Sequence, residues 1–147
     1  EIKHTPGNIV IEDCVVENTD RFLHYNFSGN EPWQCNKPLR SITFKNISAK
    51  GIKMPLNMYG SKEMPIVAEF KNVQIEFENG LKNIPFIRAA WFEKISFDNV
   101  TINNVTDDVL IRTWSEKGEI ICNNFVYNQK NAKLCENADE EFKCDAI

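Results

Sequence analysis

One pattern returns five times along this chain: apolar-x-apolar-x-(Asn or Asp)-apolar-x-apolar. It occupies residues 9–16 (Ile-Val-Ile-Glu-Asp-Cys-Val-Val), 42–49 (Ile-Thr-Phe-Lys-Asn-Ile-Ser-Ala), 68–75 (Ala-Glu-Phe-Lys-Asn-Val-Gln-Ile), 95–102 (Ile-Ser-Phe-Asp-Asn-Val-Thr-Ile) and 120–127 (Ile-Ile-Cys-Asn-Asn-Phe-Val-Tyr). Its third position (11, 44, 70, 97, 122) recurs at intervals of 33, 26, 27 and 25. Alternation means strands with one face buried. A repeat of this length means units that cannot bury their apolar face alone and must stack.

The Asn or Asp at 13, 46, 72, 99 and 124 shifts the alternation by one residue. Phe44 and Ile47 can both point inward only if the chain bends between them. Asn tolerates the left-handed backbone of such a bend better than other residues with a side chain. Stacked in register, these side chains would form an amide ladder, with the asparagines turned inward. Short strands, a spacing near 26 and corner asparagines together predict a parallel β-helix. A second set of apolar runs (22–25, 55–59, 85–88 and 109–114) lies between the repeats and would supply another face of the same coil. Residues 27–38 account for the one long interval and read as an inserted loop. Residues 129–147 lose the pattern and read as a C-terminal cap or tail, leaving the β-helix in 1–128.

Composition agrees and narrows the function. The chain has 147 residues, 42% apolar and 26% charged, which suits one domain with its own core. Eighteen residues are Asn, against only six Gly and six Pro. The net charge of −4 and pI near 5.3 give no basic footprint for nucleic acid. Mean hydropathy is −0.40 and no run of eighteen apolar residues offers a membrane-crossing helix. The five cysteines (14, 35, 122, 135, 144) and two histidines show no zinc spacing, so neither metal nor cofactor is expected. Cys14 and Cys122 fall at apolar strand positions, where a thiol behaves as a small hydrophobe. Cys135 and Cys144 either bridge or stay reduced. Glu1 in place of a start methionine suggests a piece of something longer.

The motif around residues 39–47 (Leu-Arg-Ser-Ile-Thr-Phe-Lys-Asn-Ile), with its repeats at 66–75 and 92–102, resembles the C-terminal part of glycoside hydrolase family 28, the polygalacturonase-like enzymes. Asn18-Thr19 resembles the start of that family's Asn-Thr-x-x-Gly-x-Arg-Ile-Lys element. The resemblance covers roughly residues 8–127. It implies an all-β chain, a right-handed parallel β-helix of about five rungs, and a pectin-type or related polysaccharide as partner. The family inverts its substrate with a set of aspartates and a Gly-His-Gly segment, the carboxylates being spaced to seat a water. Here the only histidines are His4 and His24, no Gly-His-Gly exists, and His24-Tyr25-Asn26 stands where the family has Arg-Ile-Lys. In this register the family's aspartates would precede Glu1.

Each candidate residue has two readings. Asp20, in Asn18-Thr19-Asp20, is a catalytic acid or a turn residue. Asp107 and Asp108 are paired acids or the Asp residues that turns favour. His24, Tyr25 and Asn26, with Trp33 in the following loop, are a sugar-contacting cluster, the ring stacking on the sugar's apolar face, or else surface residues at the coil's edge. Arg88 and Arg112 pair with an acidic sugar's carboxylate or with Glu93 or Asp108. Asn57 and Tyr59 follow the same logic. The four Asn-x-Ser/Thr matches at 26, 46, 99 and 104 read as by-products of Asn richness.

The sequence therefore supports two functions. One is the C-terminal portion of a polygalacturonase-like glycoside hydrolase, lacking the family's catalytic aspartates and inactive alone. The other is a stand-alone, non-catalytic carbohydrate-binding or structural β-helix. In both the partner is a polysaccharide or oligosaccharide, with neither nucleic acid nor membrane involved. An uncapped N-terminal rung would expose a strand edge, so a homo-oligomer or a missing N-terminal half is expected. By resemblance the chain is secreted or held at the cell surface.

Overall fold

A computed structural model of the chain describes residues 7–27, 38–115, 118–128 and 132–137. Trp33, Cys35, Cys144 and nearly all of the inserted loop lie outside these residues. The described chain is all-β, and every strand pairing in it is parallel. Ten strands run in order: β1 (Asn8–Glu17), β2 (His24–Asn26), β3 (Ser41–Ile52), β4 (Leu56–Tyr59), β5 (Ile66–Phe77), β6 (Ile87–Ala90), β7 (Phe92–Asn103), β8 (Val109–Thr113), β9 (Glu119–Tyr127) and β10 (Lys133–Asn137). Odd strands form one sheet, β1-β3-β5-β7-β9, and even strands the other, β10-β8-β6-β4-β2. The chain thus crosses between sheets at every step, and each sheet grows by one strand per repeat.

The pairing follows the sequence repeat position by position. Ile11 lies beside Phe44, Phe44 beside Phe70, Phe70 beside Phe97, and Phe97 beside Cys122. The intermediate runs at 22–25, 55–59, 85–88 and 109–114 contribute β2, β4, β6 and β8. Residues 133–137, read from sequence as part of a cap or tail, form β10 and pair with β8. Only Leu134 and Cys135 are apolar here, set among Lys, Glu and Asn, which is why the strand was not legible.

The bend is where the pattern demands it. Asp13, Asn46, Asn72, Asn99 and Asn124 all have φ between 52° and 57°, and the pairing registers step over these positions. Each corner Nδ2 donates to the carbonyl or carboxylate oxygen of the corner before it. Asn46 donates to Asp13 at 2.9 Å, Asn72 to Asn46 at 2.9 Å, Asn99 to Asn72 at 3.1 Å and Asn124 to Asn99 at 2.8 Å. The corner side chains are exposed, which corrects the expectation that they turn inward. With Phe44 and Ile47 both directed to the core, the residues between them must face out.

The core lies between the sheets. Phe44, Phe70 and Phe97 stack in one column, with centroids 5.2 and 5.4 Å apart, and Phe86, just before β6, packs against the latter two. Burying each ring contributes roughly 1.5–3 kcal/mol. The core closes over the middle strands and opens at β1. In a single column, Phe70 is 0% exposed and Ile11 is 36% exposed.

Candidate functional site

The outward face of the second sheet gathers most of the candidate residues. Strand alternation puts Leu56 and Met58 inward and Asn57 and Tyr59 outward, and the same parity turns Ile87 and Ala89 inward and Arg88 outward. Parallel register then aligns His24, Asn57, Arg88, Arg112 and Glu136 in one row across five strands. A second row holds Asn26, Tyr59 and Ala90. Trp114, just past β8, extends it by donating its backbone N–H to Ala89 O at 3.1 Å. The small Ala90 leaves room for an edge-on contact between Tyr59 and Trp114, centroids 6.1 Å apart.

Asn57 is the least satisfied group on this face. Its Nδ2 lies 3.2 Å from His24 Nδ1. Its Oδ1 is buried with no hydrogen-bond partner, although the residue as a whole is only 8% exposed. A buried acceptor left unmade costs about 1–3 kcal/mol. The next residue in the row, Arg88, is half-buried, and among the described residues no hydrogen bond or ion pair engages its guanidinium.

Arg21, which sequence reasoning passed over, joins this group. It donates to Pro55 O at 2.7 Å. Burial, and then the like charge of Arg88, push its guanidinium below the ordinary value. Burial raises the Tyr59 phenol, opposed by the positive charges of Arg88 and Arg21. The signal available was its position directly before the apolar run 22–25 that leads into β2.

Arg112 is occupied. Its Nε and Nη2 donate to the two carboxylate oxygens of Asp107 at 3.1 and 2.7 Å. Asp108 at 3.3 Å and Glu136 at 3.8 Å complete the surround. Its principal partner is therefore Asp107 rather than Glu93, because Asp107 Oδ1 also accepts from Val109 N and is fixed at the start of β8. Burial alone would raise the Asp107 carboxyl, but the hydrogen bonds from Arg112 and its other neighbours outweigh burial and hold it below the usual range. An acid held ionised in this way is poorly suited to donate a proton. Asp20 sits elsewhere, exposed, 3.8 Å from Lys53 Nζ, with its backbone carbonyl accepting from Lys53 and Met54.

Tyr25 does not reach the outward face. It pairs with buried Met58, packs against the core, and its phenol oxygen accepts from Leu39 N at 2.7 Å. Trp91 holds φ at 50°, unusual for a bulky residue, with its N–H donating to Ser115 Oγ at 2.7 Å and Lys62 Nζ 5.5 Å from the ring centroid. Among the described residues no cluster of three or more His, Cys, Asp or Glu side chains could hold a metal ion. No protein-family model, curated protein or solved structure matches the chain.

Proposed function

We propose that this chain is a right-handed parallel β-helix of five rungs, each rung one odd and one even strand, and that it is the C-terminal portion of a polygalacturonase-like glycoside hydrolase acting on pectin-type polysaccharide. Parallel pairing, alternation between two sheets and the corner amide ladder support the fold. The outward row His24–Asn57–Arg88, flanked by Arg21, Tyr59 and Trp114, binds the saccharide.

The observation that carries this reading is the buried Asn57 Oδ1 beside Arg88, both without a hydrogen-bond or ion-pair partner among the described residues. An acidic sugar offers what both lack: a hydroxyl to donate to the amide oxygen and a carboxylate to accept from the guanidinium. Tyr59 and Trp114 supply apolar ring surface for the sugar's C–H face. Asp107 and Asp20 are both engaged by cations, which favours binding over turnover by this chain alone.

The test is calorimetric titration with oligogalacturonate and with a neutral oligosaccharide of equal length. Binding of the acidic ligand alone, lost in Arg88→Ala and weakened in Asn57→Ala, would support the proposal. Equal affinity for both ligands, or binding unchanged in Arg88→Ala, would defeat it.

A further inference from the structure

His24 and Asn57 form a pair whose hydrogen-bond polarity depends on one proton. Parallel pairing of β2 with β4 sets the two side chains side by side on the outward face, and Asn57 Nδ2 meets His24 Nδ1 at 3.2 Å. A ring nitrogen accepts from an amide N–H only while it carries no proton. The contact therefore selects a neutral imidazole with its hydrogen on Nε2. The same contact turns Asn57 Oδ1 away, to a place where it is buried without a partner among the described residues, in a residue 8% exposed. Asn26 shares the outward side of β2, and Tyr59 that of β4. Arg88 follows in the row on β6, with Arg21 close enough to feel its charge. Burial raises the Tyr59 phenol, and Asp20 and Lys53, ahead of β2 and β4, hold each other at 3.8 Å. Of these residue types, histidine is the one that changes charge between pH 5 and 8.

We infer that His24 is a positioning residue for Asn57, and that its protonation reverses the amide and so changes what this face offers a saccharide. The inference rests on the reading that the row His24–Asn57–Arg88 binds an acidic sugar. With His24 neutral, Nδ2 is held toward the ring and Oδ1 is offered as an acceptor. When Nδ1 takes a proton from solvent it becomes a donor, and two N–H groups face each other across 3.2 Å. A half-turn of the amide about its Cβ–Cγ bond removes the conflict. Oδ1 then accepts a charge-assisted bond from the imidazolium, and Nδ2 takes the place that Oδ1 held. The row now presents only donors: the imidazolium Nε2–H, the amide N–H and the Arg88 guanidinium. That set suits a carboxylate, which only accepts, and it has gained a positive charge. A hydroxyl both donates and accepts, so a neutral sugar meets either state equally well. Acid should therefore tighten binding of the acidic saccharide, and by linkage that binding draws a proton onto His24.

NMR of the ligand-free protein, and calorimetry with oligogalacturonate and a neutral oligosaccharide of equal length, test the inference. The ring nitrogens of neutral His24 should show the Nε2–H tautomer, with an NOE from the Asn57 amide protons to His24 Hε1 that is lost once the ring is protonated. Oligogalacturonate should bind on the order of threefold tighter or more at pH 5 than at pH 8, with uptake of a proton, while the neutral ligand changes less. His24→Asn, whose Oδ1 can replace Nδ1 as acceptor, should match wild type at pH 8 and lose the pH dependence. The inference is overturned if the neutral ring carries its proton on Nδ1, or if the NOE survives protonation. It is overturned equally if acid leaves oligogalacturonate affinity unchanged, or if His24→Asn keeps the pH dependence. Binding of neither ligand at either pH would instead defeat the saccharide reading, on which the tautomer and the NOE do not depend.

Discussion

Asn57 Nδ2 lies 3.2 Å from His24 Nδ1, while the Oδ1 of the same amide is buried without a partner. The two residues are 33 positions apart and meet only because β2 and β4 pair in parallel. One end of the amide is thereby oriented by the protein, while the other has no partner among the described residues. Arg88 and Arg112 in the same row contrast: among the described residues no hydrogen bond or ion pair engages the first guanidinium, and the second is held by Asp107, Asp108 and Glu136.

These two arginines should separate function from stability. Arg88→Ala should leave the unfolding free energy within about 0.5 kcal/mol of wild type, as for a half-buried side chain with no ion pair among the described residues, while removing acidic-oligosaccharide binding. Arg112→Ala should cost about 2–3 kcal/mol, somewhat below a fully buried pair, because Asp107 keeps its charge and loses its main partner. Chemical denaturation of both variants, read beside ligand titration, checks the split.

The Asp107 carboxyl is held below its ordinary range in the folded chain. A depressed acid contributes stability above its unfolded pKa, about 3.9, and that contribution is lost as pH falls through the folded value. Asp107→Asn should therefore be less stable than wild type at pH 7, with the gap narrowing below about pH 4. Denaturation curves at pH 7, 5 and 3 measure it. A gap that stays constant would mean that the carboxylate charge is not what Arg112 stabilises.

The corner position carries two separable costs. Asn72 donates to Asn46, accepts from Asn99 and holds φ at 53°. Asn72→Gly loses both hydrogen bonds but keeps the backbone unstrained. Asn72→Ala loses them and also forces a Cβ into the left-handed region, so it should be about 1 kcal/mol less stable than Asn72→Gly. Thermal and urea unfolding of the pair reads this difference directly.

Burial pushes the Cys122 thiol up to about 11. Because the thiolate is the nucleophile, labelling by a thiol reagent at pH 8 should be slow and rise about tenfold per pH unit until near that value. Stopped labelling with mass-spectrometric localisation follows Cys122 specifically. A plateau near the ordinary thiol pKa of about 8.5 would show that the inward face of β9 is open to water.

Much of this molecule is written in its chain. The period-two alternation and the Asn or Asp at 13, 46, 72, 99 and 124 determined the strands, the bends and the strand-to-strand register, because each is a local consequence of backbone conformation and side-chain parity. The separate apolar runs between the repeats placed His24, Asn57, Arg88 and Arg112 on intermediate strands. The inward turn of Tyr25, the entry of Arg21 beside Arg88, the capture of Arg112 by Asp107 and the solitary Asn57 Oδ1 were decided only in the folded chain. The capture of Arg112 is a local turn that brings Asp107, five residues earlier, onto its guanidinium. The other three are tertiary: they depend on which neighbours each side chain meets once distant strands are packed together, and repeat spacing sets strand register without setting the reach of side chains.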